Sequence, residues 1–408
     1  MRGEGSPEVR ATDVDFNVAL GYGPNLRAVS LTPAGMCIPV TGDAVSVSLF
    51  WRIIMKSGRT LINLAQELER QLASKQDMLI PSSLMHCLTD DFGSCNMLIR
   101  KGDGAATYGV TSLARRQLAE KLKIPFAYFE RMRTEQPVLL DRNVNTWLET
   151  DNERRMIRIL DGNIRAVLSD RYRRLDNYDL AENVLPILQS LPGARFKSVE
   201  LTDTKMYIKV VTPGTRFVVA PGDVVQAGVV ISNSEVGQGT LTVQPLVYRM
   251  VCSNGLIVPD RGLRKTHVGR TLQSEEEAFT LFRDDTLAAD DKAFFLKVRD
   301  VVEAAVSEAT FLQVAQKMQK TLDIKLTGDL VKSIEVLANR YTLNEVERAG
   351  VLRHLITAGE LSAYGLVNAV THYSQDVADY DRATEFEAMG GKLIELGASE
   401  WKELVQAA

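Results

Sequence analysis

The spacing of apolar residues predicts a helix shortly after Met55, strands in the middle of the chain and helices in its last third. Leu61, Leu64, Leu68 and Leu72 recur every three or four residues with charges between them, which is typical of an amphipathic helix. From about Ser274 onward the same periodicity runs through several segments bordered by Gly and Thr. We therefore expect the chain to end in a helical region.

The middle of the chain has the pattern of paired strands. MIRIL and IRAVLSD flank Asp161-Gly162-Asn163, residues that tolerate left-handed backbone, so a hairpin is predicted. A second strand pair is predicted over residues 96–111, around the turn Lys101–Gly104. More strands are predicted in the segments FKSVEL, MYIKVV, VVQAGVVIS and GTLTVQPLVYRMV. These features favour an antiparallel sheet.

Helical segments interrupt the strands. TSLARRQLAEKLKIPFAYFERM, broken at Pro125, resembles the first half of a helix-turn-helix DNA reader, although two packed amphipathic helices explain the same pattern. NYDLAENVLPILQSL reads as a helix, with Asn177 as N-cap and Pro186 as a kink. Asn254-Gly255 signals a turn. The expected fold is α+β: a mainly antiparallel sheet with packed helices, followed by a helical C-terminal region.

The composition changes abruptly at Met55. Residues 1–54 contain no lysine and repeat Gly, Pro, Ser and Thr without an apolar period. We interpret them as an unstructured or spurious N-terminal extension that an upstream start codon adds; a disordered targeting arm is the alternative. We divide the rest into 55–155, helical and mixed; 156–273, β-rich and basic; and 274–408, helical and acidic.

The overall composition is that of a globular protein of a reducing compartment. Apolar residues make up 45% of the 408 residues and the net charge is −4, which excludes a uniformly basic nucleic-acid coat. No run approaches the roughly 20 apolar residues that cross a bilayer. The four cysteines form no CxxC pair. These observations predict a cytoplasmic protein, in a bacterium or a phage-infected host, without membrane contact.

The sequence predicts no metal site, no cofactor and no catalytic residue. His86, Cys87 and Cys95 come nearest to a metal-binding set, but three ligands at this spacing match no common site. Phosphate-loop, nucleophile-elbow, zinc-helix and dinucleotide motifs are absent. Cys252 with His267 as its base lacks an orienting third group. An unrecognised enzyme is therefore the third functional hypothesis.

Charge is distributed unevenly along the chain. Residues 100–175 hold 16 Lys and Arg against 10 Asp and Glu, and residues 195–270 hold 10 against 5. Residues 275–408 hold 14 against 24. This contrast favours a polyanion-binding surface in the middle of the chain. Arginines that merely solvate an exposed sheet face are the alternative.

Two arginine-rich segments are candidates for that surface. Strand alternation places Arg158 on the face opposite Ile157 and Ile159, and strand pairing brings Arg165 near the same side, so an exposed basic ridge is expected. Tyr172 can stack on a base there, or else pack the hairpin onto the next helix. The candidate nucleic-acid-binding residues are Arg155, Arg158, Arg165, Arg171, Tyr172, Arg173, Arg264, Lys265, His267 and Arg270.

Four long segments resemble a known family. They are LDRNVNTWLE, RAVLSDRYRRLDN, GVVISNSEVGQGTLTVQPLVYRMVCSNGLIV and YGLVNAVTHYSQDVADYDRATEFEAMGGKLIEL. Together they resemble the phage/plasmid-like family called domain of unknown function 932, over roughly Ser82 to Trp401. The resemblance implies carriage on mobile DNA, and with it a role in DNA replication, recombination or evasion of host defence. It implies no catalytic residues.

The leading hypothesis is single-stranded DNA binding in recombination or replication. The basic sheet would contact phosphates and the acidic helices would mediate assembly, including formation of a homo-oligomer. The alternative is a protein-binding module whose acidic helices engage a host or phage protein.

Overall fold

The computed structural model describes residues 58–102, 104–172, 174–259 and 284–407. The predicted extension, 1–54, lies outside these residues, and so does the basic run 261–270.

Six strands form a mixed sheet, which we call sheet 1. They are β1 (Gln76–Pro81), β2 (Met85–Thr89), β3 (Cys95–Lys101), β4 (Gly104–Val110), β5 (Arg154–Leu160) and β6 (Asn163–Ser169). Their spatial order is β1-β5-β6-β4-β3-β2, and of these neighbours only β4 and β6 are parallel. The predicted hairpin is confirmed as β5–β6, because Asp161 and Gly162 take positive φ angles of 51° and 73° in the tight turn. Strands from both sides of residue 155 therefore share one sheet.

Five strands form a second, antiparallel sheet, which we call sheet 2. They are β7 (Arg195–Leu201), β8 (Met206–Ala220), β9 (Asp223–Asn233), β10 (Thr242–Arg249) and β11 (Asn254–Ile257). Each pairs with the next along the chain. The turn predicted at Asn254-Gly255 is wrong in position, since both residues lie in β11. The chain reverses just before them, and the buried Asn254 amide is fixed by donating to Thr371 Oγ1 at 2.5 Å.

Helices cover both sheets. In the first part of the chain they are α1 (Leu61–Ser74), α2 (Ser112–Lys121), α3 (Phe126–Glu135), α4 (Pro137–Thr150) and α5 (Asn177–Ser190). In the second part they are α6 (Asp284–Ala305), α7 (Glu308–Lys320), α8 (Leu330–Tyr341), α9 (Glu345–Ala358), α10 (Ala363–Tyr373), α11 (Tyr380–Ile394) and α12 (Ala398–Val405). The α+β class and the helical C-terminal region are confirmed. Asn177 is the first residue of α5 and not its cap, which is Asp176.

The apolar side chains gather into two main cores. Helices α2, α3 and α4 pack on one face of sheet 1, where Met97, Phe129 and Leu140 are buried. The C-terminal helices pack on sheet 2, where the core includes Val225 and Phe386. No helix in the described part of the chain combines the length and the apolar character that crossing a membrane requires.

A buried ion pair joins sheet 2 to the C-terminal helices. Lys209 on β8 donates to Glu387 on α11 at 2.6 Å, and the two side chains are 2% and 3% exposed. The Lys209 ammonium also donates to Thr384 at 3.1 Å and lies 4.7 Å from the ring centre of Tyr380. Each charge is therefore satisfied only by partners inside the protein.

Candidate functional site

The arginines of the β5–β6 hairpin point into the molecule. Arg158 is completely buried, and its guanidinium donates to Asp77 at 2.9 Å, to Asp176 at 2.5 Å and to the backbone oxygen of Glu235 at 2.9 Å. The predicted exposed ridge is therefore wrong at this position. Strand alternation does separate Arg158 from its apolar neighbours, but the loop before α5 and the segment after β9 cover that second face of sheet 1.

Glu235, in the segment after β9, is a second buried charge of this network. Its carboxylate accepts hydrogen bonds from Lys75 at 2.6 Å, from Arg165 at 2.5 Å and from the backbone N–H of Asn177 at 2.6 Å. The Arg165 side chain is only 13% exposed, so the expected exposure is wrong here too. Two cations and the start of α5 together neutralise one carboxylate.

The other residues predicted to contact nucleic acid differ in their exposure and in their partners. Arg155 is mostly shielded and pairs with Asp151 at 2.7 Å. Tyr172 donates its hydroxyl to the backbone oxygen of Ser234 at 2.8 Å, which supports the packing interpretation of this residue. Arg171 is exposed. The remaining candidates lie outside the described residues: Arg173, Arg264, Lys265, His267 and Arg270.

The segment after β9 links the two sheets. Val236 packs against Leu168 of sheet 1, and Gln117 donates to the Val236 backbone oxygen at 2.7 Å. Gly237 has a φ of 75°, and a Cβ there would lie 2.6 Å from the Leu168 side chain, so a larger residue would be strained and would require Leu168 to move. The glycines of SNSEVGQG indicate a turn from sequence alone. Nothing in that run indicates that Glu235 is buried.

Two carboxylates of this network, Asp176 and Glu235, make the stability of the protein depend on pH. Burial alone raises the pKa of Asp176, but Arg158 and Lys75 outweigh it, so the net pKa is lowered. Burial also raises the pKa of Glu235, but the positive charges of Arg165 and Lys75 lower it more, so its net pKa is lowered. A carboxylate whose folded pKa lies below its unfolded value contributes stability above the unfolded pKa. That contribution is lost as the pH falls through the folded pKa.

We expect the free energy of unfolding to fall once the pH drops below the ordinary carboxylate range, about pH 4 to 5, and to go on falling until the lowered folded pKa values of Asp176 and Glu235 are passed. Urea unfolding of the parent chain and of Glu235→Gln at several pH values measures the effect. The variant should be less stable at neutral pH and should lose less stability on acidification, since one carboxylate with a lowered pKa is gone. Equal pH dependence in the two proteins would contradict this role of Glu235.

A different surface presents aromatic side chains to solvent. In the part of the chain that the structure describes, Phe92, Tyr128 and Trp147 are the exposed Phe, Tyr and Trp residues. Phe92 is 93% exposed on the β2–β3 turn, and the other two lie on α3 and α4. We use the term helical face for the exposed aromatic, apolar and basic residues of the β2–β3 turn, α3 and α4, namely Phe92, Tyr128, Arg131, Val138, Leu139, Arg142 and Trp147. Val138 and Trp147 are nine residues apart on α4, which is half a turn out of phase, so they lie on different sides of that helix.

The turn that carries Phe92 is held in place. Asp90 Oδ1 accepts hydrogen bonds from the backbone N–H groups of Phe92 at 3.0 Å and Ser94 at 2.7 Å. Arg133, near the end of α3, donates to the backbone oxygen of Gly93 at 2.5 Å. A large apolar side chain presented on a fixed turn contributes little to packing. Clustered residues of this kind mark interaction sites.

Helix α4 is fixed against the edge of sheet 1. Asn145 accepts from the backbone N–H of Cys87 at 2.7 Å and donates to its backbone oxygen at 3.0 Å, while Asp141 accepts from the N–H of Thr89 at 2.9 Å. These contacts satisfy outward-facing backbone groups of the edge strand β2. The helix has 14 residues, hence a length of about 21 Å, with Trp147 near its C-terminal end.

The residues considered as metal ligands or as a catalytic pair can be placed only in part. No group of three or more His, Cys, Asp and Glu there is arranged to hold a metal ion. The Cys87 and Cys95 sulfurs are 3.6 Å apart, while His86 Nε2 lies 3.3 Å from Asn145 Nδ2. Cys252 Sγ accepts a hydrogen bond from Arg249 at 3.1 Å, and His267, the residue considered as its base, lies outside the described residues.

The described chain is an α+β protein in which a polar network joins two sheets. It belongs to the family described as domain of unknown function (DUF932), whose model matches residues 165–390, more than half of the chain. The match begins in β6, ends in α11 and includes Arg165, Lys209 and Glu235. It confirms the family predicted from sequence, over a shorter stretch than Ser82 to Trp401. No curated protein and no solved structure matches the chain significantly.

Proposed function

We propose that the protein binds single-stranded nucleic acid on the helical face. The observation that carries this proposal is that the exposed aromatic residues of the described chain, Phe92, Tyr128 and Trp147, gather on α3, α4 and the adjoining turn. Bases of single strands stack on aromatic side chains without regard to sequence. A set of stacking groups on a fixed helix and a fixed turn suits an unpaired strand.

Cations accompany the aromatic side chains. Residues 100–142 hold nine Lys and Arg against five Asp and Glu. Arg131 and Arg142 are exposed on α3 and α4, and Arg131 shares its charge with Glu135 at 2.9 Å. Exposed cations beside stacking groups supply the phosphate contacts that dominate affinity for nucleic acids. In this proposal, the basic segment 100–175 makes phosphate contacts through α3 and α4 more than through the β5–β6 hairpin.

The finer role that we propose is in recombination or replication of mobile DNA. It rests on the phage/plasmid-like character that the sequence resemblance implies, and on the exposure of unpaired strands in those processes. Arg171, which is exposed, remains in the proposal as a further phosphate contact.

We expect Phe92→Ala and Trp147→Ala each to weaken binding to fluorescein-labelled oligothymidylate by about 1–3 kcal/mol, because each removes a stacking surface. Fluorescence anisotropy at low salt measures the affinity. Arg142→Gln should lower the slope of log affinity against log salt by about 0.7, the effect of one lost phosphate contact on a single strand. Val346→Ala, at an exposed apolar position on α9, is the matched control and should bind as the parent does. An absence of binding by the parent at low salt would refute the proposal.

A protein partner that docks on the exposed start of α4 is the second candidate function. Val138 is 80% exposed and Leu139 lies beside it, and aliphatic side chains fit a protein surface better than a base. Val138→Asp separates the two candidates. If a protein is the partner, Val138→Asp should abolish its capture. If nucleic acid is the ligand, only the Phe92 and Trp147 variants should bind oligothymidylate more weakly.

A further inference from the structure

Two buried cysteines lie in contact at the end of the β2–β3 hairpin. The sulfur atoms of Cys87 and Cys95 are 3.6 Å apart, and both thiols are free. Cys95 pairs with Thr89, two residues beyond Cys87 on β2, so the cysteines are diagonal neighbours on one face of the two strands. The sulfurs of a disulfide are about 2.05 Å apart, so bond formation needs an approach of about 1.5 Å.

The position of the pair at the end of an edge hairpin allows this approach. Strand β2 is an edge strand of sheet 1, and the β2–β3 turn lies between the two cysteines in the sequence. Phe92 and Ser94 in that turn are exposed, so Cys95 is one residue away from solvent although its own side chain is buried. The end of an edge hairpin opens at a lower free-energy cost than a central strand. A transient shift there admits a small oxidant and brings the two sulfurs together.

The surroundings make the two thiols chemically different. The hydrogen bond from Cys87 lowers the pKa of the Cys95 thiol and the positive charge of Arg115 lowers it further; together they outweigh burial, which raises it. The same contact and burial raise the pKa of the Cys87 thiol. Thr89 Oγ1 lies 3.8 Å from Cys87 Sγ and donates its own hydrogen to Asp141 at 2.7 Å, so it can only accept from Cys87. Cys95 is therefore the thiol that ionises, and Cys87 keeps its proton.

We infer that Cys87 and Cys95 form a reversible disulfide when hydrogen peroxide reaches the pair. The Cys95 thiolate attacks one peroxide oxygen, the oxygen–oxygen bond breaks, and the departing hydroxide takes up the proton that Cys95 released. Cys95 is then a sulfenic acid, and one water has formed. The Cys87 sulfur attacks the Cys95 sulfur, the sulfur–oxygen bond breaks, and the hydroxide leaves with the Cys87 proton as a second water. Two thiols and one peroxide thus give one disulfide and two waters.

The bond fixes the turn that carries Phe92. It closes the loop of residues 87–95 at the point where β2 and β3 meet, so the hairpin end no longer opens by separation of the strands. Disulfides that form transiently in a reducing compartment are typical of redox sensors. This chemistry does not depend on the binding of nucleic acid to the helical face.

Mass spectrometry of the peroxide-treated full chain tests the inference without any substitution. Remaining thiols are blocked with N-ethylmaleimide in denaturant, and trypsin then releases the peptide 76–100, which contains both cysteines. We expect this peptide to lose two hydrogen atoms and to carry no maleimide, and to take up two maleimides when dithiothreitol is added before the blocking step. The inference is overturned if the folded, treated protein still takes up both maleimides, or if the bond forms only after urea has unfolded the chain.

Trapping of the sulfenic acid with dimedone tests the order of the two steps. Cys95 in Cys87→Ser should be labelled about tenfold or more faster than Cys87 in Cys95→Ser, because the thiolate is the reactive form. Cys252→Ser removes a half-buried cysteine elsewhere and is the matched control, which should form the disulfide as the parent does. Equal labelling of the two hairpin variants overturns the assignment of Cys95 as the attacking thiol.

Hydrogen exchange tests whether the disulfide fixes the turn. The amides of Phe92 and Ser94 should exchange about tenfold or more slowly in the oxidised protein than in the reduced protein, because the closed loop suppresses local opening. The amide of Val229, in the middle of β9, is the internal reference and should exchange equally in both. Equal exchange of the turn amides in the two forms would show that the bond is not a device acting on this turn.

Discussion

Replacing Lys209 with methionine should lower the free energy of unfolding by about 3–5 kcal/mol, because the change leaves Glu387 buried without its counter-charge. The pair is 2.6 Å apart and almost completely inaccessible, so water cannot take the place of the lost ammonium. Equilibrium unfolding in urea, followed by far-UV circular dichroism, measures the loss.

Two further proteins show whether the charge or the packing is responsible. Lys209→Met combined with Glu387→Leu should recover most of the lost stability, since no unpaired charge remains. Lys317→Met breaks an ion pair of similar length, 2.7 Å to Glu395, on an exposed surface, and should change stability little. If both lysine variants lose the same stability, burial is not the cause.

Arg158→Met should also cost about 3–5 kcal/mol, because it leaves Asp77 and Asp176 facing each other without the guanidinium between them. The sequence interpretation, in which Arg158 stands on a solvated sheet face, predicts almost no change. Thermal and urea unfolding of the variant therefore distinguish a buried role from an exposed one.

The control for this variant is Arg131→Met, which removes an exposed arginine from its pair with Glu135. It should unfold as the parent does. A parent-like stability of Arg158→Met would contradict the buried network and would restore this residue to the candidate nucleic-acid surface.

The sequence predicts the secondary structure well where a local signal exists. The hairpin at Asp161-Gly162 follows from residues that accept positive φ, and the helix of Leu61, Leu64 and Leu68 follows from apolar periodicity. The turn prediction at Asn254 is wrong because its side chain is fixed by Thr371, more than a hundred residues away in the sequence. This contact holds Asn254 in a strand. Local propensity carries no information about such a contact.

The candidate site is less predictable, for a physical reason. Alternation tells which residues share a face of a strand, but not whether another segment covers that face. Arg158 and Arg165 are buried by Glu235 and its neighbours, which follow some seventy residues later in the chain. The sequence around Phe92 does indicate a turn, because this single aromatic residue lies between Asp91 and Gly93. Its exposure becomes visible only when α3 is seen to hold the turn.

Photo-crosslinking tests most directly whether nucleic acid lies on the helical face. Oligothymidylate carrying 5-iodouracil is irradiated with the full chain at low salt, and the adducts are located by mass spectrometry. The account predicts adducts on the peptides that contain Phe92, Tyr128 and Trp147, because excited iodouracil couples to aromatic rings stacked against it. Adducts confined to residues 154–172, or none at all, would contradict it.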